Sequence, residues 1–224
     1  MRRERCFRSV RLRQLILRVI LSEKLACFRI VLYAQTMSHL IVRAAAAADL
    51  PAITAIYAEA VLFGTATFEI EPPDEAEMTR RFRELTEGGF PYLVAEHGGA
   101  VRGYAYAGLY RTRVAYRYTL EDSIYIAPAF HGRGIGRALL DRLLAEATAA
   151  GFRQMVAVIG DTAQHASIAL HRAAGFRPVG TFEAVGYKFG RWLDTVLMQR
   201  PLGAGAEAPP QSLAASKQFN SPPR

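Results

Sequence analysis

The sequence predicts one α/β domain in which helices pack on a central sheet. Segments with the two-residue period of strands alternate along the chain with segments that have the helical period. In the middle of the chain, a glycine-dense turn joins an apolar strand-like run directly to a helical pattern. With 224 residues, of which 51% are hydrophobic, the chain can bury one full core and is too short for two large domains.

These periods predict the elements in order. A strand at 40–43 precedes a helix at 49–62, whose apolar residues recur at helical spacing. A second, charged helix begins after Pro72 and runs to about Thr86, with Asp74 as its N-cap. The remaining elements are the strands Tyr92–Glu96, Val101–Gly108 and Tyr118–Ile126, the helix Gly134–Ala150, the strand Met155–Ile159, the helix Ala166–Ala174, and the strands Pro178–Val185 and Trp192–Met198.

The net charge of +8 is concentrated at the N terminus. Residues 1–36 hold nine Lys and Arg residues against two acids, whereas 37–200 hold equal numbers of basic and acidic residues. The predicted domain, 37–200, is thus formally neutral, which argues against a nucleic-acid partner. Charges interrupt the apolar runs of 1–36, so none approaches the roughly 20 apolar residues of a membrane span. This segment is interpreted as an extension upstream of a start at Met37, or as a transit peptide or amphipathic surface helix.

Both cysteines, Cys6 and Cys27, lie in that basic extension. The domain then has no disulfide, no thiol nucleophile and no cysteine-based metal site, and a reducing cytoplasm is its expected location. No metal is predicted. Residues 201–224 are rich in Ala, Pro, Gly and Ser without any periodicity, and they are predicted to form a disordered tail.

The most informative motif is the turn HGRGIG at 131–136. Its three glycines can adopt positive φ and bring backbone N–H groups close to a bound anion. The start of the next helix adds unpaired N–H donors and the positive end of its dipole, and Arg133 and Arg137 add full charge. The Gly-Lys-Ser/Thr of a P-loop does not follow, and the motif does not stand at the first strand as a dinucleotide fingerprint would. By itself the motif leaves open a plain glycine turn between a strand and a helix.

This turn resembles the acetyl-CoA pyrophosphate loop of the GNAT acetyltransferases, Arg/Gln-x-x-Gly-x-Gly/Ala. Within that superfamily, most of the chain resembles the phosphinothricin (methionine sulfoximine) N-acetyltransferase family. The matching segments include Asp49–Ile53, Thr65–Phe68, Glu71–Pro73, Tyr92–Glu96, Gly103–Ala105, Ser123–Ile126 after Glu121, Val156–Gly160, Ala166–His171 and Val185–Asp194. The resemblance implies a GNAT fold, with a mixed, mostly antiparallel twisted sheet flanked by helices and with splayed strands that hold acetyl-CoA.

The resemblance also implies an acetyl-CoA site. The loop binds the pyrophosphate, and the backbone of the preceding strand, 123–126, binds the pantetheine arm. The amide of Ile126 is the expected donor to the thioester carbonyl. The contacts expected for the cofactor are Tyr125, Ile126, His131, Gly132, Arg133, Gly134, Ile135, Gly136, Arg137 and Gln164.

Acetylation of an amine requires a neutral amine and stabilisation of the negative charge that develops on the thioester oxygen. Glu121 matches the catalytic glutamate of the family, and it can take the ammonium proton if burial raises its pKa. From the residues alone it could equally be a solvated strand-end acid paired with an arginine. His171 matches a histidine that the family uses near the amine, to deprotonate the substrate or to protonate the leaving thiolate. From spacing alone it could be an ordinary helix histidine.

Substrate selection is expected to fall to the loop 110–116. Its two arginines and its tyrosines suit a small acidic amino acid, because guanidinium groups pair with carboxylate or phosphinate oxygens. A solvated basic loop is the alternative. The predicted substrate contacts, partly implied by the resemblance, are Phe68, Tyr110, Arg111, Thr112, Arg113, Tyr116, Leu120 and Asp122.

Three positions depart from the family pattern. His131 stands where Arg or Gln is typical, but that position is expected to contribute mainly its backbone amide. Gln164 replaces an asparagine that commonly bonds the pantetheine arm. Asp122 replaces a histidine that frequently follows the catalytic glutamate, and this changes the charge beside the substrate amine.

The predicted activity is acetyl-CoA-dependent N-acetylation of the α-amine of a small glutamate-like compound such as phosphinothricin, methionine sulfoximine or methionine sulfone. One alternative is a GNAT enzyme for another amine, a polyamine or a protein N terminus. The other is a non-catalytic acyl-CoA-binding module, against which the presence of Glu121 argues. The resemblance further implies a homodimer.

Overall fold

The computed structural model describes residues 40–210, so the predictions for residues 1–36 and for the end of the tail lie outside the described residues. The described residues from Ile41 onward belong to one compact unit. No helix within this described range is long and apolar enough to cross a membrane.

Strands and α-helices alternate along the described chain as the sequence predicts, and the α/β class is confirmed. Every predicted element is present, with its ends within three residues of the predicted ones. The strands are β1 (Leu40–Ala44), β2 (Tyr92–His97), β3 (Ala100–Leu109), β4 (Thr119–Ile126), β5 (Gln154–Gly160), β6 (Arg177–Lys188) and β7 (Arg191–Pro201), and the helices are α1 (Leu50–Phe63), α2 (Glu75–Glu87), α3 (Ile135–Ala149) and α4 (His165–Ala173).

The strands form one mixed sheet in the order β1-β2-β3-β4-β5-β7-β6. The described pairings are antiparallel except that of β4 with β5, which is parallel. The β4–β5 pairing joins only Thr119–Asp122 to Gln154–Ala157, although β4 continues to Ile126 and β5 to Gly160. The two strands therefore separate at their carboxyl ends, and the predicted GNAT architecture with splayed strands is confirmed.

Alternation along β3 places helices on both faces of the sheet. Tyr104 is fully buried in the core cluster that contains Ile53 of α1 and residues of α2. The odd-numbered positions of β3 face the other way, because Gly103 lies beside Ile135 of α3 and Ala105 is fully buried. Thus α1 and α2 cover one face, and α3 covers the other.

Local signals explain where the first helices begin. The side chain of Asp74 accepts a hydrogen bond from the amide of Glu77 at 2.8 Å, so the predicted N-cap of α2 is confirmed. Before α1, the buried Asp49 pairs instead with Arg43, whose guanidinium is 2.7 Å from the carboxylate. Pro51 stands in the first turn of α1, where its missing N–H leaves no helical hydrogen bond unmade.

The folded part extends past residue 200, where the sequence places its end. Leu202 is only 2% exposed. Arg153 donates to the carbonyl of Gly205 at 2.9 Å and to that of Ala208 at 2.7 Å. The first residues of the predicted tail are held by one buried leucine and one arginine, a signal too local for composition to reveal.

Candidate active site

The gap between β4 and β5 is lined by backbone groups of β4 that pair with neither neighbouring strand. Ala127 donates to the carbonyl of Arg102 on β3 at 2.9 Å. Its neighbour Ile126 stands opposite Gly103 in the same antiparallel ladder, so its N–H and C=O point away from β3 and into the gap. The amide predicted to polarise a carbonyl thus faces the space that β5 vacates.

The glycine turn closes the end of this gap tightly. Gly132 and Gly134 have φ values of 71° and 81°, in the left-handed region that favours glycine. A Cβ on Gly136 would lie 3.0 Å from the side chain of Ile126 and 3.2 Å from that of Leu170 of α4. The first two glycines make the turn, and the third lets α3 begin directly against β4 and α4.

Cationic groups surround the start of α3. Arg133 lies over the ring of Phe130 at 4.9 Å, and Arg137 contacts Asp141 at 2.6 Å and the carbonyl of Ala173 at 3.0 Å. No side chain of residues 40–210 caps the N terminus of α3, whose N-cap is Gly134. Positive charge and uncapped amides at one helix start fit an anionic pyrophosphate.

His131 and Gln164 use their side chains in ways that the sequence does not predict. The ring of His131 donates from Nε2 to the carbonyl of Ile126 at 2.9 Å, so this residue does more than contribute an amide. Gln164 lines the gap, and its amide nitrogen donates to the hydroxyl of Thr65 at 2.9 Å. The methylene that distinguishes Gln from the usual Asn lets the amide reach the segment after α1.

Glu121 lies at the start of the gap, on the face of the sheet that carries α1 and α2. It stands opposite Gly108 of β3, an even-numbered position like Tyr104. Burial raises the pKa of its carboxyl above the ordinary value, the charge of Arg111 lowers it, and that of Asp122 raises it further. The net shift is upward, as a carboxylate that takes a proton near neutral pH requires.

Asp122 points to the opposite face, where it meets His171 of α4. Its carboxylate oxygen Oδ2 is 2.9 Å from Nε2 of His171, and the two residues are 6% and 4% exposed. The predicted substrate contact at Leu120 is corrected, because Leu120 is fully buried in the core. The predicted contact at Asp122 stays a prediction, because its carboxylate is bonded to His171 and also borders the gap. Successive strand residues point to opposite faces, so Glu121 does not share a face with Leu120 and Asp122.

The loop after β3 keeps its basic groups in solvent. Arg111 stacks on the ring of Tyr110 at 4.3 Å, and that ring meets Tyr116 edge-on at 6.0 Å. Thr112 and Arg113 are exposed. Of the predicted contacts in this loop, Arg111 is the one whose charge acts on Glu121.

Phe68 packs against two glycines, a contact that the sequence does not predict. A Cβ on Gly160 would lie 2.9 Å from its ring, and a Cβ on Gly186 would overlap it. The segment before it is tied down by the buried Lys188, which donates to the carbonyls of Gly64 at 2.8 Å and Thr67 at 2.9 Å. In the sequence, a single lysine at the otherwise apolar end of β6 is the only sign of this buried contact.

Two cavities adjoin these residues. The larger, about 330 Å³, lies under α2 and is lined by Tyr57, Arg81 and Tyr106 among others. The smaller, about 60 Å³, is the gap itself, lined by Asp122, His171 and their neighbours on β4 and β5. We assign the chemistry to the smaller one, because it joins the part of β4 beyond the β4–β5 pairing to Asp122 and His171. Within residues 40–210, no group of three His, Cys, Asp or Glu side chains is arranged to hold a metal ion.

Comparison with known proteins agrees with this geometry. Residues 52–176 match the acetyltransferase (GNAT) family. The chain is 55% identical to a phosphinothricin N-acetyltransferase of Alcaligenes faecalis over 73% of this chain and 83% of that protein. It is 42% identical to an L-methionine sulfoximine/L-methionine sulfone acetyltransferase of Salmonella typhimurium over 72% of this chain and 94% of that protein.

A solved structure extends the likeness to the fold. It is a GNAT phosphinothricin acetyltransferase of Sinorhizobium meliloti in complex with acetyl-CoA, with a TM-score of 0.78 and 52% identity. The match covers 82% of this chain and 100% of that one. The splayed strands, the glycine turn and these relatives lead to one conclusion: the chain belongs to the GNAT family of acetyl-CoA-dependent N-acetyltransferases.

Proposed function

We propose that this chain acetylates the α-amine of a small glutamate-like amino acid such as phosphinothricin, methionine sulfoximine or methionine sulfone. The observation that carries the proposal is the half-buried Glu121 with the charge of Arg111 acting on it. A base and an anion-binding guanidinium so close together suit an α-amino acid with an acidic side chain. The relatives named for these substrates add support.

In this proposal Glu121 is the general base. Burial raises the pKa of its carboxyl, so the carboxylate holds an ammonium proton better than an exposed glutamate does. Removal of that proton, directly or through one water, leaves the amine lone pair free to attack. Deprotonation occurs on the face of the sheet that carries α1 and α2, beside the gap.

The chain's own residues fit acetyl-CoA, which supplies a thioester carbonyl for attack by the amine. Residues 131–137 hold the pyrophosphate through backbone N–H groups and the charges of Arg133 and Arg137. The gap-facing amide of Ile126 orients and polarises the carbonyl. Tyr125 and Gln164 line the path of the pantetheine arm.

Substrate recognition falls to two segments in this proposal. Arg111, with Tyr110, Arg113 and Tyr116 in the same loop, binds the acidic groups of the amino acid. Phe68, seated on two glycines, forms an apolar wall. The arginines of this loop disfavour polyamines as substrates, because they would repel the positive charges of a polyamine.

We also propose that the protein is a homodimer formed through its β6 edge. The side chains of β6, β7 and their turn expose a set of large apolar residues, each more than half exposed: Val179, Phe182, Val185, Tyr187, Phe189 and Trp192. Such a surface at a sheet edge suits a second copy of the chain. By light scattering, Trp192→Lys should halve the mass of the dimer, whereas Phe63→Lys, 81% exposed at the end of α1, should leave it unchanged. A wild-type monomer would contradict the proposal.

The cytoplasm is the proposed location, and a small-molecule amine is the proposed partner. The absence of cysteine from 40–210 suits a reducing compartment. The balanced charge of the domain suits a small substrate better than a polyanion.

The test is release of free thiol from acetyl-CoA by the purified full chain. Phosphinothricin, methionine sulfoximine, methionine sulfone, spermidine and a short peptide are compared as acceptors. Selective turnover of the first three supports the proposal. Turnover of spermidine or peptide alone would refute the substrate class, and binding of acetyl-CoA without turnover of any amine would identify a binding module.

A further inference from the structure

The His171–Asp122 pair has hydrogen bonds at both ring nitrogens. Nδ1 of His171 is 2.8 Å from the carbonyl oxygen of Ser167, one turn earlier in α4. Nε2 is 2.9 Å from Oδ2 of Asp122, on β4. Both residues are more than nine-tenths buried.

The chemistry of the two partners determines where the protons lie. A carbonyl oxygen only accepts, so Nδ1 must carry hydrogen. If Nε2 were bare, its lone pair would face a carboxylate oxygen in a buried site, which is repulsive. One proton therefore lies between Nε2 and Oδ2. With that proton on Nε2, His171 is an imidazolium beside a carboxylate and has no lone pair with which to accept a proton from an amine.

The pair lines the gap between β4 and β5 from the side opposite to Glu121. Both side chains border the smaller cavity. The second carboxylate oxygen, Oδ1 of Asp122, is buried and has no hydrogen-bond partner within residues 40–210.

We propose that Asp122 is a positioning residue that keeps His171 protonated, so that His171 gives its Nε2 proton to the departing sulfur of CoA and does not act as the base. The inference rests on the proposed function. As the amine nitrogen forms its bond to the carbonyl carbon, the C–S bond breaks and its electron pair goes to sulfur. Sulfur takes the Nε2 proton, the hydrogen bond from Nε2 to Asp122 is broken, and His171 is left neutral with its Nδ1 hydrogen still donated to the carbonyl of Ser167. The pair then regains a proton from water.

Other charges near His171 leave this assignment intact. Burial by itself lowers the pKa of His171, but the hydrogen bond and charge of Asp122, with the carbonyl of Ser167, raise it above the ordinary value. Arg137 of α3 and Arg200 of β7 donate to the carbonyls of Ala173 and Ala174, at the end of α4. Glu121 is on the other face of β4, and Phe176 meets the ring edge-on without a charge.

The first test observes the protons directly in the full chain with isotope-labelled histidine by NMR. The variant His171→Gln assigns the spectrum, because the histidine signal that disappears in it belongs to His171. In the wild type at neutral pH we expect both ring nitrogens to carry hydrogen, and in Asp122→Asn only Nδ1. The control Asp49→Asn removes a carboxylate of nearly equal burial from the Arg43 pair and should leave the His171 signals unchanged. A neutral His171 in the wild type would overturn the proposal, whether or not any amine is acetylated.

The second test is kinetic and uses a substrate that the wild type acetylates. Asp122→Asn should move the alkaline limb of kcat against pH down by about one unit or more, because a histidine without its carboxylate loses its proton earlier. The KM for acetyl-CoA should stay within about twofold. Asp122→Glu keeps the negative charge, so its alkaline limb should lie closer to the wild-type pH than that of Asp122→Asn. An alkaline limb that does not move in Asp122→Asn would contradict the assignment.

Discussion

Glu121 and Asp122 are neighbours with the same functional group, and β4 separates them onto two faces of one sheet. Glu121 stays partly open, with a raised pKa and with the charge of Arg111 acting on it. Asp122 is buried against His171, and in our proposal this pair holds a proton. Alternation places the two carboxyl groups in different environments, and under the roles proposed here one strand supplies a proton acceptor on one side of the gap and a proton donor on the other.

The largest effect on activity should come from a change at Glu121, the more exposed of the two carboxyl groups. Glu121→Gln keeps the shape but cannot hold the ammonium proton, so kcat should fall at least about tenfold at neutral pH, within the range of general-base losses. The dissociation constant of acetyl-CoA, measured by calorimetry, should change little. Turnover equal to that of the wild type would remove Glu121 from the role of base.

Removal of the charge of Arg111 should test the assignment of Glu121 as the base. Arg111→Gln should raise the KM for an acidic amino acid by about tenfold through the loss of charge-assisted hydrogen bonds. Arg111 lowers the pKa of Glu121, and activity rises with pH as Glu121 loses its proton. The rising limb should therefore move to higher pH in this variant. Arg117→Gln is the control, since Arg117 stacks on Tyr118, and its profile should match the wild type.

A smaller effect should follow from crowding the ring of Phe68. Gly186→Ala places a methyl group where that ring lies, and overpacking of this kind lowers the free energy of unfolding by about 1–3 kcal/mol. The melting temperature should fall and the KM for the amino acid should rise, while the titration of His171 stays as it is. Gly180→Ala on the same strand is the matched control, because its methyl would meet no atom within 4 Å. Equal effects of the two substitutions would show that Phe68 is not the cause.

The smallest effect is expected from the bond between Gln164 and Thr65. Gln164→Ala removes one hydrogen bond of ordinary strength, worth about 1 kcal/mol. The KM for acetyl-CoA should rise less than about tenfold. Thr65→Val should reproduce part of the change if the bond to Thr65 matters. If it has no effect while Gln164→Ala does, Gln164 acts on the cofactor alone.

Periodicity predicted the fold well, and it predicted the two sides of β4 poorly. The order of elements and the cap at Asp74 depend on neighbours within a few residues, which the sequence displays. The bond between Asp122 and His171 joins positions 49 residues apart, and only the register of β4 against β3 and the placement of α4 reveal it. Leu120 was misplaced for the same reason, because its face follows from the sheet and not from the nearness of Glu121.

The pH profiles of kcat/KM for the wild type, Glu121→Gln and Asp122→Asn, measured side by side on one accepted amino acid, test the two-sided account most directly. We predict a bell-shaped profile for the wild type. Glu121→Gln should lose the acid limb and keep the alkaline one, whereas Asp122→Asn should keep the acid limb and move the alkaline limb to lower pH. Displacement of the same limb in both variants would contradict the account, because the two carboxyl groups would then serve one proton transfer.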